Sequence, residues 1–148
     1  MIDQGRTVLI TGASAGIGKS FSEVFFKNGF NVVLTARRAE KLEAVKVELL
    51  KSSSNQSIHI ITSDLSDINS PQEIFNFCRE RNIRIDALVN NAGYGNPESF
   101  EMIPWDSHAA FLRVMVTAVT ELIHLFLPDM IKNQYGRIIK VASLAPYI

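Results

Sequence analysis

The segment Thr11-Gly12-Ala13-Ser14-Ala15-Gly16-Ile17-Gly18 carries the densest chemical information in the 148-residue chain. It leaves an apolar, β-rich run and opens a helical one. Glycines there let the backbone turn sharply and let a diphosphate approach without meeting a Cβ, while the helix start offers free N–H groups and a positive dipole end. Two familiar phosphate-binding patterns fail on these residues. Gly18-Lys19-Ser20 would end a P-loop, but its first glycine would fall on Ala13. A G-x-G-x-x-G pattern starting at Gly16 would need glycine at Phe21. The pattern that fits is T-G-x-x-x-G-x-G. A second chemical signal follows the run Asn31 to Thr35: Ala36 stands where a dinucleotide fold usually places a carboxylate for the ribose 2′-hydroxyl, and Arg37 and Arg38 come next. Two guanidinium groups suit a 2′-phosphate, which a carboxylate would repel. The cofactor expected is NADP(H), with Ser14 placed to add a contact from the turn.

The elements that must position these groups alternate along the chain. Short apolar runs are expected as strands at Thr7–Thr11, Asn31–Thr35, Ile58–Ile61, Ala87–Val89 and Arg137–Val141. Between them, helical periodicity predicts helices over Ile17–Lys27 and Arg38–Lys51, one starting at Ser70-Pro71, and a long one from Trp105 to Lys132 that Pro128 should bend or end. Such alternation gives right-handed βαβ crossovers and a doubly wound, Rossmann-type α/β fold with a parallel sheet of five strands. Ligands of that fold bind at the carboxyl ends of strands where strand order reverses, so the first and fourth strands should flank the crevice. One domain over residues 1–148 is expected, with Ser52 to Asn55 a polar loop too short to be a linker.

Composition excludes several classes. Fifteen basic residues balance fifteen acidic ones, which offers nothing to nucleic acid or to an anionic membrane. Cys78 is the sole cysteine, so neither an internal disulfide nor a cysteine-based metal cluster is available. His59, His108 and His124 lack metal-ligand spacing, and Trp105 after Pro104 reads as a helix-start anchor. Met1 to Gly5 is polar and unlike a secretory signal. The stretch Ala109 to Leu127 contains Arg113, Glu121 and His124. A bilayer centre penalises each full charge by about 2.5–3.5 kcal/mol, so a buried helix is expected there. A soluble, cytoplasmic protein is the expectation.

Three further segments, in order, match a known pattern. Asp64-Leu65 follows the third strand, Asn90-Asn91-Ala92-Gly93 ends the fourth, and Gly136-Arg137-Ile138-Ile139 leads to Ala142-Ser143-Leu144-Ala145. With the glycine-rich turn, they make the chain similar to the short-chain dehydrogenase/reductase family from Thr7 to Ile148. The resemblance implies NADP(H)-dependent hydride transfer between cofactor and a small carbonyl or alcohol substrate. Cofactor contacts would come from Gly12, Ser14, Ala15, Gly16, Ile17 and Gly18 in the turn, and from Arg37 and Arg38 at the 2′-phosphate. Asp64 and Leu65 would contact adenine, and Asn91, Ala92 and Gly93 would line the far side. Ser143 would be the catalytic serine that steadies the substrate oxygen.

The sequence also departs from the family. Its tyrosine should follow the serine by roughly a dozen residues with a lysine four further on, but only five residues follow Ser143, and Tyr147 stands too close. Met115 occupies the place of the family's helix asparagine, and a thioether cannot replace an amide. Pro146 stands where glycine is usual. The strands and helices that would follow the fifth strand are expected to be missing, which would leave Ile138, Ile139 and Val141 on an open, apolar edge prone to association with another copy. Three readings compete: an NADP(H)-dependent oxidoreductase represented by a shortened frame, a non-catalytic NADP(H)-binding module, and an inactive gene remnant.

Overall fold

The computed structural model describes residues 5–52, 55–95 and 98–143. Met1 to Gln4, Ser53 and Ser54 of the polar loop, and Ala145, Pro146 and Tyr147 lie outside the described residues. Five parallel strands form one sheet in the order β3-β2-β1-β4-β5. They are β1 Thr7–Thr11, β2 Asn31–Ala36, β3 Ile58–Thr62, β4 Ala87–Asn90 and β5 Arg137–Lys140. The order reverses between β1 and β4, the two strands expected to flank the crevice. All five residues of β1 are buried, because the sheet is covered on both faces and side chains alternate between two cores. Val8, Ile10, Val32, Leu34 and Val89 face α1 (Gly16–Lys27) and α2 (Ala39–Leu50). Leu9, Val33 and Leu88 face α3 (Ser70–Glu80) and the long C-terminal helix.

That long helix is one continuous rod in three parts: α4 (Trp105–Leu112), a π-turn (Arg113–Thr117) and α5 (Ala118–Lys132). Pro128 does not end it; the helix runs four residues further, to Lys132. The helix is also less enclosed than expected. It is long and apolar enough to cross a membrane by length and composition. Only one stripe, Val114, Ala118, Leu122, Phe126 and Met130, is buried against the sheet and α3, with Phe126 edge-on to Phe75 at 5.2 Å. Leu112, Val116, Leu127 and Ile131 remain exposed. The apolar composition therefore exceeds what this packing uses. At the opposite end of the sheet from the crevice, buried Asp86 accepts the backbone N–H of Thr7 at 2.9 Å and the Arg84 guanidinium at 2.8 Å, tying β1 to β4.

Candidate functional site

The carboxyl ends of the strands open into a crevice of about 980 Å³. The turn residues Gly12, Ser14, Ala15 and Ile17 line its floor, and Arg37, Arg38, Asp64 and Leu65 line one end. Asn91, Ala92, Gly93 and Ser143 line the other. Sequence reasoning thus named residues from five separate segments that the fold brings to one place. Gly16 and Gly18 belong to the same turn but lie outside the lining. Gly16 holds a left-handed φ of +55° at the helix start, a conformation that favours glycine. Gly18 has a packing role: a Cβ there would lie 2.3 Å from the Gly12 carbonyl oxygen and 2.5 Å from the Asn91 amide nitrogen.

The turn is held open from below by β4. Thr11 Oγ1 accepts the backbone N–H groups of Asn91 and Ala92, both at 3.0 Å. The Asn91 amide donates to the carbonyls of Thr11 at 3.1 Å and Gly12 at 3.3 Å. Asn91 is therefore a clamp between strand ends, and Thr11 is a scaffold residue whose role becomes visible only once β1 and β4 are adjacent. Helix α1 begins without a side-chain cap and without an acidic residue in its first turn, so its N–H groups face the crevice unclaimed by side chains. Lys19, the residue that mimics a P-loop lysine, turns away and pairs with Glu48 of α2. That bond raises the Lys19 pKa and lowers that of Glu48.

Arg37 and Arg38 are exposed, and among the described residues neither guanidinium has an ion-pair or hydrogen-bond partner. Across from them, Asp64 accepts the backbone N–H of Ser66 at 3.0 Å and its hydroxyl at 2.8 Å. The backbone hydrogen bond is the main reason its carboxyl sits below the ordinary aspartate pKa, with Arg37 adding a smaller pull. The cap-like role and a place on the crevice wall coexist in this residue. Two buried hydroxyls, Thr35 Oγ1 and Ser63 Oγ, have no hydrogen-bond partner although their residues line the same wall. An orphaned donor in such a wall suits a polar ligand. The glycine cradle, the uncapped helix start, the free guanidinium pair and these hydroxyls together fit a phosphorylated dinucleotide.

At the other end, the π-turn places Met115 against Gly93: a Cβ on that glycine would lie 2.9 Å from the Met115 sulfur. One extra residue in the helix re-aims a side chain at the crevice, a common device at functional sites. Lys140, which the motif reading passed over, also lines this end. Among the described residues no group of acids, histidines or cysteine is arranged to hold a metal ion.

The family model described as short chain dehydrogenase matches residues 6–147. The chain belongs to the short-chain dehydrogenase family. Among curated relatives, a Rattus norvegicus protein named inactive hydroxysteroid dehydrogenase-like protein 1 is 31% identical over 143 residues. That match covers 94% of this chain and 42% of the relative. An Anopheles gambiae dehydrogenase/reductase SDR family protein 7-like is 35% identical over 143 residues, covering 95% of this chain and 45% of the relative. The chain thus spans less than half the length of these two relatives. A metagenomic short-chain oxidoreductase solved in complex with NADP superposes with a TM-score of 0.88 at 33% identity, over 96% of this chain and 64% of the other. A Sphingobium yanoikuyae short-chain dehydrogenase solved with NADPH gives 0.86 at 30% identity, over 96% and 55%.

Proposed function

We propose that this chain is the NADP(H)-binding part of a short-chain oxidoreductase acting on a small carbonyl or alcohol. The observation that carries the reading is the guanidinium pair Arg37 and Arg38, unpaired among the described residues and lining the same crevice as the glycine-rich turn. Charge-assisted hydrogen bonds to a 2′-phosphate contribute about 1.5–3 kcal/mol each, or roughly tenfold to a hundredfold in affinity. The NADP- and NADPH-bound structural neighbours support the same cofactor. The turn and the α1 amides would hold the diphosphate, and Gly12, Ser14, Ala15, Gly16, Ile17 and Gly18 are the proposed contacts or supports. Asp64 and Leu65 would flank adenine, and Asn91, Ala92 and Gly93 the other half. Bound there, the cofactor would supply a hydride donor or acceptor, and Ser143 would steady the substrate oxygen. Fluorescence titration tests the reading: NADPH should bind at least tenfold more tightly than NADH, and comparable affinities would refute it. Calorimetry that detects no heat with either nucleotide on folded protein would remove the cofactor reading altogether.

Met115 favours a second reading, a non-catalytic NADP(H)-binding module. A sulfur packed on Gly93 offers no amide to hold a proton-relay water. Several relatives bear names that call them inactive. We place the protein in solution in the cytoplasm, without nucleic-acid or membrane partners, and with self-association through the β5 edge.

A further inference from the structure

Charge is distributed unevenly along the crevice. Among the described lining residues the only carboxylate is that of Asp64, beyond β3 at one edge of the sheet. At the opposite edge stands Lys140. Strand register pairs Lys140 with Asn90, and register partners in a sheet project to the same face. Leu88, two residues before Asn90, packs in the core under α5, so Asn90 and Lys140 share the face from which Met115 descends. The Asn90 side chain is 1% exposed, and neither its oxygen nor its nitrogen has a hydrogen-bond partner. Among the described residues the Lys140 side chain has no ion pair or hydrogen bond either. Its side chain is exposed overall, yet its ammonium is partly withdrawn from water, which pushes its pKa below the ordinary lysine value. The crevice therefore ends in a cation that this part of the chain does not neutralise, beside a thioether and an unsatisfied amide.

With a 2′-phosphate at Arg37 and Arg38 and a diphosphate over the turn after β1, the nicotinamide half of the dinucleotide extends over β4 and β5, toward Gly93, Met115, Lys140 and Ser143. The oxidised nicotinamide ring carries a formal positive charge; the reduced ring carries none. Phosphate charge is the same in both. We infer that Lys140 makes the crevice sense the oxidation state of its cofactor, holding NADPH in preference to NADP⁺ by like-charge repulsion of the oxidised ring. This rests on the NADP(H) reading above and adds a regulatory consequence to it. A catalytic form of the protein would load NADPH in preference to NADP⁺ and release the oxidised form readily, and a non-catalytic one would report the NADPH to NADP⁺ ratio.

The test is isothermal titration of the 148-residue chain, and of Lys140→Met and Lys140→Arg, with NADPH, NADP⁺ and NADH. The native chain should bind NADPH about three- to tenfold more tightly than NADP⁺, the scale expected of one partly screened charge pair. In Lys140→Met that ratio should fall toward one, and in Lys140→Arg it should persist. The NADPH to NADH ratio, which reads the Arg37–Arg38 pair, should be unchanged in both variants and certifies that the crevice is intact. Equal affinities for NADPH and NADP⁺ in the native chain, or a preference that survives Lys140→Met, would overturn the inference while leaving the cofactor assignment standing. Failure of every nucleotide to bind the native chain would overturn the assignment itself and the inference with it.

Discussion

The two ends of the crevice are built differently. The end at β2 rests on strands with neighbours on both sides: β1 and β2 lie inside the sheet, and their apolar residues are almost wholly buried. Arg37 and Arg38 follow the interior strand β2, whereas Asp64 follows β3, the sheet's other edge strand. The end at β5 rests on an edge. Among the described residues β5 pairs only with β4, and three of its four residues are exposed. Among the described residues, then, the arginine end of the crevice stands on a strand paired on both sides, while the Lys140 end stands on the most exposed strand. The two ends of the crevice thus have different structural backing.

The largest test of that contrast is a pair of core truncations. Leu122, fully buried beneath the sheet on α5, should cost about 2–5 kcal/mol when changed to alanine. Ile138 on β5 is 39% exposed, and its change to alanine should cost no more than about 0.5 kcal/mol. Urea unfolding measures both, and equal costs would break the contrast. The same edge should govern association: Ile138→Lys should shift the protein toward monomer in light scattering at tens of micromolar, because a charge on an exposed strand opposes edge pairing. A native chain already monomeric at that concentration would contradict the edge as an association site.

Next in size is Gly18→Ala. The added Cβ would meet the Gly12 backbone oxygen at 2.3 Å, and neither the oxygen nor its strand end has a flexible side chain to yield. Overpacking of this kind costs about 1–3 kcal/mol, and because the strain falls on the turn, NADPH affinity should drop with stability. Gly16→Ala meets no atom within 4 Å but must adopt a φ of +55°, at a cost of about 1 kcal/mol or more. If Gly18→Ala proves neutral in both urea unfolding and titration, the turn is looser than its geometry implies.

How far these residues could be read from sequence follows from the range of the forces involved. Strand positions, the switch between β1 and β4 and the glycine-rich turn were legible because apolar runs and glycine placement are local signals, whereas Asp64, Leu65, Asn91, Ala92, Gly93 and Ser143 were named through the family resemblance. The clamp of Asn91 on Thr11 and Gly12 was not, since it requires knowing that residues about 80 apart lie side by side. Lys140 was missed for the same reason: its neighbour Asn90 is set by register between β4 and β5. The π-turn around Met115 leaves no trace in helical periodicity, which one extra residue disturbs less than ordinary sequence variation does. The outward apolar face of α5 was misjudged as buried because composition reports how much surface is apolar and not how much is covered.

The Arg37→Ala, Arg38→Ala double variant narrows the comparison to the β2 end alone. Its NADPH affinity should fall roughly tenfold to a hundredfold while NADH affinity stays within about twofold, since only the 2′-phosphate distinguishes the ligands. An equal loss for both would mean that the arginines support the fold near α2 instead of reading the phosphate.

The smallest effect expected is at Asp64, and its sign is determined by the hydrogen bonds already described. Its carboxyl is held below the ordinary aspartate pKa, first by the Ser66 backbone N–H. A depressed carboxylate adds stability at pH values above its unfolded pKa and loses that contribution as pH falls through the lower folded value. Asp64→Asn keeps an oxygen to accept from Ser66 and removes only the titration. The native chain should therefore be slightly the more stable of the two at neutral pH, with the difference shrinking as pH falls through the ordinary aspartate range and gone once the lowered folded-state value is passed. Because Asp64 is exposed, solvent screening keeps the gap to a few tenths of a kcal/mol at most. Urea midpoints across that range would show it, and a gap that widens with acid would mean the carboxyl is strained in the folded state rather than satisfied. The crevice end at β2 would then be less complete than its geometry indicates.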